Sequence, residues 1–387
     1  MLVAVLLISF GVLGSVLFLS GVEAGDFRAY YHAAELAVQG ESFVGAAPPG
    51  VNSYASWVYP PIAVVPFVPF TILRGWFPAF LVWNLLNVAV AIAIGQSLFK
   101  YLQEKNASLG VIDRVLIMFT FVFGSSAILN LAQGQSNFIV LGCIFYGFLS
   151  LERERPIWAG VLYAIAATIK IWPALFGVWL LYKRSYRAIL AAGVVGGGLQ
   201  LAGVALFGME SYSTLVRILI QDRSSTGTVS LGYVLSGLVG INAGIATVLS
   251  FGLIGSVLFL IYKNTRDTPF FSYTATIVAV VLVSPSTIQY MLFPSLGAVS
   301  LLYLTEDAAS QLRFGLGLFF ISIPITRYKI DTIFELLGGS FLSLPEWIGL
   351  VMNIPLWGLL LLMAALYLWS LEGKERTSAS SESHPSQ

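Results

Sequence analysis

The sequence predicts an all-α polytopic membrane protein with about twelve transmembrane helices and a juxtamembrane outer loop after the first. Two observations carry this. Of 387 residues 57% are hydrophobic and only 10% charged, where a soluble domain carries about 25% charged residues. The apolar runs are also continuous and of spanning length rather than alternating, which selects helices over a β-barrel.

In order, the spans are placed at 2–20, 76–99, 115–131, 136–151, 157–169, 172–183, 186–207, 244–262, 268–284, 288–304, 312–326 and 347–370. Val22-Glu23-Ala24 loosely resembles a cleavage site. The stretch before the first run has no Lys or Arg, however, so 2–20 is read as an uncleaved span. Residues 60–73 are apolar but hold Pro60, Pro61, Pro66 and Pro69. As an α-helix they would rise about 21 Å against the ~30 Å needed, so they dip into the bilayer and stay outside.

Basic residues arbitrate the topology. On this count Lys100, Lys105, Arg114, Arg153, Arg155, Lys183, Arg184, Arg187, Lys263, Arg266, Arg313, Lys374 and Arg376 share one side. Arg28, Arg74, Arg217, Arg223, Arg327 and Lys329 lie on the other. Both termini are therefore expected in the cytoplasm of a plasma-membrane protein. Residues 1–373 form the transmembrane domain, 21–75 its outer loop, and 374–387 a polar, disordered cytoplasmic tail.

Composition also excludes. The single cysteine, Cys143, rules out an internal disulfide or a cysteine metal cluster, and two histidines, His32 and His384, leave no His-rich metal site. A net charge of +1 without a basic cluster gives no nucleic-acid partner.

Four polar sets gather on the outer side. Asp26 precedes a helix expected over 27–39 and closed by Gly40. A carboxylate just outside the bilayer, beside aromatic rings, is where an enzyme acting on a lipid-carried substrate would keep its base; the plainer alternative is a helix N-cap. Phe27, Tyr30, Tyr31, Ala34 and Val38 form an apolar stripe expected to face the membrane, with Tyr30 and Tyr31 as pocket or interfacial-belt residues. Tyr59-Pro60-Pro61 lies later in the loop. Second, Gln133, Gln135 and Asn137 surround Gly134 in a turn that needs only one polar residue, and such amides suit sugar hydroxyls.

Third, Lys170 sits mid-way along the apolar 157–182 stretch. In a straight span its ammonium would cost about 2.5–3.5 kcal/mol. In a hairpin with Pro173 at the apex it floors an outward cavity and suits a phosphate; snorkelling to solvent is the alternative. Arg223 is a second candidate for that phosphate, or a solvated loop charge. Fourth, Ser284 to Tyr290, including Gln289, breaks an apolar run, as a cavity lining does.

Gly25-Asp26-Phe27 with Tyr30-Tyr31, Tyr59-Pro60-Pro61, Gly134-Gln135-Ser136-Asn137, Lys170-x-x-Pro173 and Ser284-Pro285 together resemble glycosyltransferase family 87 over residues 1–305. These are membrane enzymes of the GT-C type, typified by α-1,2-mannosyltransferases. The resemblance implies a polyprenyl- or dolichyl-phosphate hexose as donor and co-substrate, a glycan or glycolipid acceptor, and no further cofactor or metal. It makes Asp26 the general base. Lys170 and Tyr59 face the donor phosphate, and Gln135 and Asn137 line the sugar pocket, to which Gln133, Tyr30, Tyr31, Gln289 and Tyr290 also belong. The family's histidine after Ser-Pro is replaced here by Gln289, Tyr290 and Met291. Two other readings compete. A flippase of lipid-linked sugars would tolerate Asp26→Asn. A glycan polymerase or ligase would use Arg and His in a late outer loop, and 208–243 holds Arg217 and Arg223 but no histidine.

Overall fold

The computed structural model describes residues 24–50, 56–105, 107–221, 229–265, 268–284, 287–325 and 353–382. In chain order the α-helices are α1 (Gly25–Gln39), α2 (Trp76–Glu104), α3 (Val111–Phe123), α4 (Ser125–Gln133), α5 (Asn137–Glu152), α6 (Pro156–Ile169), α7 (Phe176–Tyr182), α8 (Tyr186–Gln221), α9 (Leu231–Val239), α10 (Ala243–Asn264), α11 (Pro269–Val283), α12 (Leu292–Leu304), α13 (Ala308–Ile321) and α14 (Ile354–Glu382). Short 3-10 turns at Trp172–Leu175 and Ile288–Met291 lead into α7 and α12. No strand occurs among the described residues.

Among the described residues, five helical stretches are long and apolar enough to cross a membrane: Trp76–Glu104, Val111–Gln133, Tyr186–Ile220, Ala243–Asn264 and Ile354–Glu372. The other apolar helices are shorter. The expected first span, 2–20, lies outside the described residues. The last helix runs on through 374–382 of the polar tail.

Residues Pro61–Leu73 form a 3-10 helix. Pro66 and Pro69 lack the N–H that an α-helical ladder needs, so the tighter winding takes over. At about 2.0 Å per residue it rises about 26 Å, more than an α-helix would and still short of a full crossing. Helix α8 is broken at Gly208 (φ 77, ψ 159), a conformation open essentially to glycine alone. The chain folds back there, and the Tyr212 hydroxyl donates to the Gln200 carbonyl and side-chain oxygens at 3.2 and 3.1 Å.

The chain divides into two compact units. One comprises the described residues of 97–126 and 226–387. Its α11 and α12 are buried along most of their length. Gly317 and Gly358 let α13 and α14 pack against each other at backbone distance.

The other unit comprises the described residues of 21–96 and 127–225. In it α6 packs on α5 and α8, with Gly160 against the backbone of α8. The Tyr163 ring on α6 stacks on Phe176 of α7, centroids 5.6 Å apart. Thirteen positions along a straight helix would separate them by about 20 Å, so the chain reverses between α6 and α7. A cleft of about 250 Å³ opens beside this reversal, lined by Tyr163, Ala167, Thr168, Pro173, Gly177 and Gly196 among others.

Candidate active site

Helix α1 starts at Gly25, two residues earlier than its sequence pattern implied, so Asp26 lies in the first turn rather than at the cap. The cap position is Ala24, left-handed at φ 48 and without a capping side chain. One of the orphan N–H groups at this end, that of Gly25, is met from another element: it donates to Gln133 Oε1 at 3.2 Å.

The stripe expected to face the membrane faces protein instead. Phe27, Tyr30, Tyr31 and Ala34 are buried, and of the set only Val38 is exposed. Periodicity marks a face as apolar without saying what covers it, and here the cover is the 3-10 helix and α2. Phe27 packs against Phe80 and Trp83 at 5.7 and 6.1 Å, and Tyr30 against Phe67 at 4.7 Å. Tyr30 and Tyr31 are thus core residues, not belt residues. The Tyr31 hydroxyl accepts from Gly75 N at 2.9 Å and takes no part in the polar chain described below.

The turn between α4 and α5 lies under this aromatic layer. Gly134 takes φ +65, and side chains hold the carbonyls around it. Trp83 Nε1 donates to Gly134 O (2.8 Å), Asn84 Nδ2 to Leu131 O (3.0 Å) and Asn87 Nδ2 to Gln135 O (3.2 Å). Asn137 is fully buried and donates to Asn130 Oδ1 at 2.7 Å, which makes it a support behind the turn. The Oδ1 atoms of Asn84, Asn87 and Asn137 are buried and meet no donor among the described residues.

Gln135 is the junction. Its Nε2 donates to Asp26 Oδ2 at 2.6 Å, and its Oε1 accepts from Lys170 Nζ and from the Tyr30 hydroxyl, both at 3.1 Å. The Tyr30 and Tyr59 hydroxyls meet at 3.3 Å, and the ammonium lies over the Tyr59 ring, 5.2 Å from its centroid. Lys170 ends α6 with an extended backbone and is 2% exposed. Asp26 stays partly open. Its burial among protein atoms pushes its carboxyl above the ordinary 3.8, against the pull of the Lys170 charge and the Gln135 hydrogen bond.

The structure thus joins Asp26, Tyr30, Tyr59, Gln135 and Lys170 in one network, with Gln133 tied in through Gly25. Gln289 and Tyr290 belong to the other unit, in its Ile288–Met291 turn. Arg223 lies outside the described residues. Sequence reasoning missed Trp83, Asn84, Asn87 and Asn130. The signal was present as two amides three positions apart in a spanning run, which puts both on one helix face. Among the described residues no group of three or more His, Cys, Asp or Glu side chains stands where one ion would bind.

A base-competent carboxylate and a buried ammonium joined through one amide can take a proton at one end and stabilise a developing anion at the other. The family model described as glycosyltransferase family 87 matches residues 57–285, more than half of the chain. The chain belongs to glycosyltransferase family 87. It is accordingly a GT-C-like membrane glycosyltransferase, with a donor and an acceptor as substrates. The family 87 match takes in Tyr59, Gln133, Gln135, Asn137, Lys170 and Arg223. It opens after Asp26, Tyr30 and Tyr31 and closes before Gln289 and Tyr290. No curated protein matches the sequence.

Proposed function

We propose that this glycosyltransferase moves a hexose, mannose in the first instance, from a polyprenyl- or dolichyl-phosphate donor to a hydroxyl of a glycan or glycolipid acceptor. In this reading the site opens on the non-cytoplasmic side, and about twelve spans leave both termini in the cytoplasm. The observation that carries it is the chain Lys170–Gln135–Asp26.

The acceptor oxygen attacks the anomeric carbon while the bond from that carbon to the phosphate oxygen breaks. The bonding electrons pass to the phosphate, whose growing charge Lys170 stabilises. The acceptor's proton passes to Asp26. One displacement inverts a β-linked donor into an α-linked product. The second carboxylate that glycosidase chemistry uses is not needed, because the phosphate leaves without protonation. The mostly apolar cleft that Thr168 and Pro173 help to line is, in this reading, the path for the lipid tail of the donor.

The test is transfer of radiolabelled sugar from synthetic polyprenyl-phosphate hexoses, in membranes carrying wild type or Asp26→Asn. Only the wild type is expected to turn over. Full transfer by the substituted protein removes Asp26 as base, and lipid-linked sugar crossing the membrane without transfer in both favours a flippase.

A further inference from the structure

Gln135 is 6% exposed, and both ends of its side-chain amide are engaged, so it offers little to a sugar. Its orientation is fixed by chemistry. An ammonium only donates, so the amide atom facing Lys170 is the oxygen, and the atom facing Asp26 is therefore the N–H₂. The near oxygen of Asp26, Oδ2, is then an acceptor at 2.6 Å from a donor, and a proton on it would oppose that N–H.

We propose that Gln135 is a positioning residue. By donating to Oδ2 it leaves Oδ1 of Asp26 as the atom that receives the acceptor's proton, and it holds the Lys170 ammonium one amide away from the carboxylate. This inference rests on Asp26 acting as the base. Direct pairing of ammonium and carboxylate would weaken both: the base would lose proton affinity, and the cation would already be neutralised when the phosphate arrived. A neutral amide between them keeps the carboxylate and the ammonium from pairing with each other.

Among the described residues, other titratable groups near the carboxylate are few. Tyr30 on α1 and Tyr59 before the 3-10 helix belong to the same network. Arg28 donates to Pro49 O at 3.0 Å and lies over the Trp76 ring, and His32 stands 3.9 Å from Glu35. The 3-10 helix has no titratable side chain, and the part of α2 in this unit has none either.

The experiment is a pH profile of kcat/KM for transfer from a synthetic polyprenyl-phosphate hexose, with full-length protein in lipid nanodiscs. In Gln135→Glu a second carboxylate beside Oδ2 must share a proton with Asp26, and the acid limb is expected to move up by about one pH unit or more. In Gln135→Met, of similar volume, kcat is expected to fall roughly 10- to 100-fold through loss of a hydrogen bond to a charged group. An acid limb that stays in place or moves down in Gln135→Glu overturns the proposal. Should that variant not fold, a Gln135→Met kcat within about twofold of wild type overturns it, being less than one such bond is worth. Asp26→Asn is measured alongside. An active Asp26→Asn sinks the base assignment itself, whereas an inactive one beside unaffected Gln135 variants sinks only the role given to Gln135.

Discussion

Adding one methyl group at Gly134 should disable the site without removing any polar atom from it. The residue holds φ +65, and a Cβ built there would lie 2.5 Å from the Phe27 Cβ and 3.0 Å from Phe80 Cε2. The left-handed backbone costs a residue with a side chain about 1–2 kcal/mol. Overpacking a filled site costs about 1–3 kcal/mol more, for a total of roughly 2–5 kcal/mol. The direction of relief matters as much as the size. The Phe27 ring is wedged among Phe70, Phe80 and Trp83, and its Cβ moves only if the first turn of α1 moves. That turn carries Asp26. A displacement of about 1 Å breaks the 2.6 Å contact with Gln135 and, as misplacement at a reacting centre does, costs about 100-fold in rate. Thermal unfolding of purified Gly134→Ala and its transfer rate check this against Gly193→Ala, where an added Cβ meets nothing within 4 Å. A Gly134→Ala protein that unfolds with the wild type and transfers at its rate would refute the reasoning.

Four further outcomes are expected. The acid limb of transfer lies above 3.8, because burial raises Asp26 and the base must be ionised. A carboxyl raised in the fold contributes stability that is present below 3.8 and lost as pH climbs through the folded value. Asp26→Asn should therefore unfold no earlier than wild type at neutral pH while failing to transfer, as thermal scans beside the activity assay will read. Lys170→Met should raise the donor KM roughly 10- to 100-fold, the worth of a charge-assisted contact, with less effect on the acceptor KM; unchanged donor affinity counts against the phosphate role. Gln133→Leu removes the acceptor for the Gly25 N–H and should cost about 1 kcal/mol in unfolding experiments while leaving transfer within a few-fold of wild type.

The lysine stood out in the sequence because an ammonium mid-way along an apolar run is expensive, and the acid because it follows the first apolar run beside aromatic residues. The reversal after Lys170 was legible for the same reason, since a straight span left the ammonium in hydrocarbon. The role of Gln135 was not. Counting amides in a turn identifies hydrogen-bonding capacity but not whether protein or ligand uses it. The inward turn of Tyr30 and Tyr31 was hidden too, because a 3-10 helix beside α1 and an acyl-chain surface ask for the same apolar stripe. Asn84 and Asn87 passed as tolerated polar residues in a long span, although their spacing aims both at the carbonyls of the α4–α5 turn.

The network has a direction in time as well as in space. Asp26, Tyr59 and Gln135 all precede Lys170 in the chain, so each has left the ribosome before the ammonium reaches the insertion machinery. The oxygen that accepts from the ammonium in the folded protein is thus synthesised before it, while residues 226–387 are still to be translated.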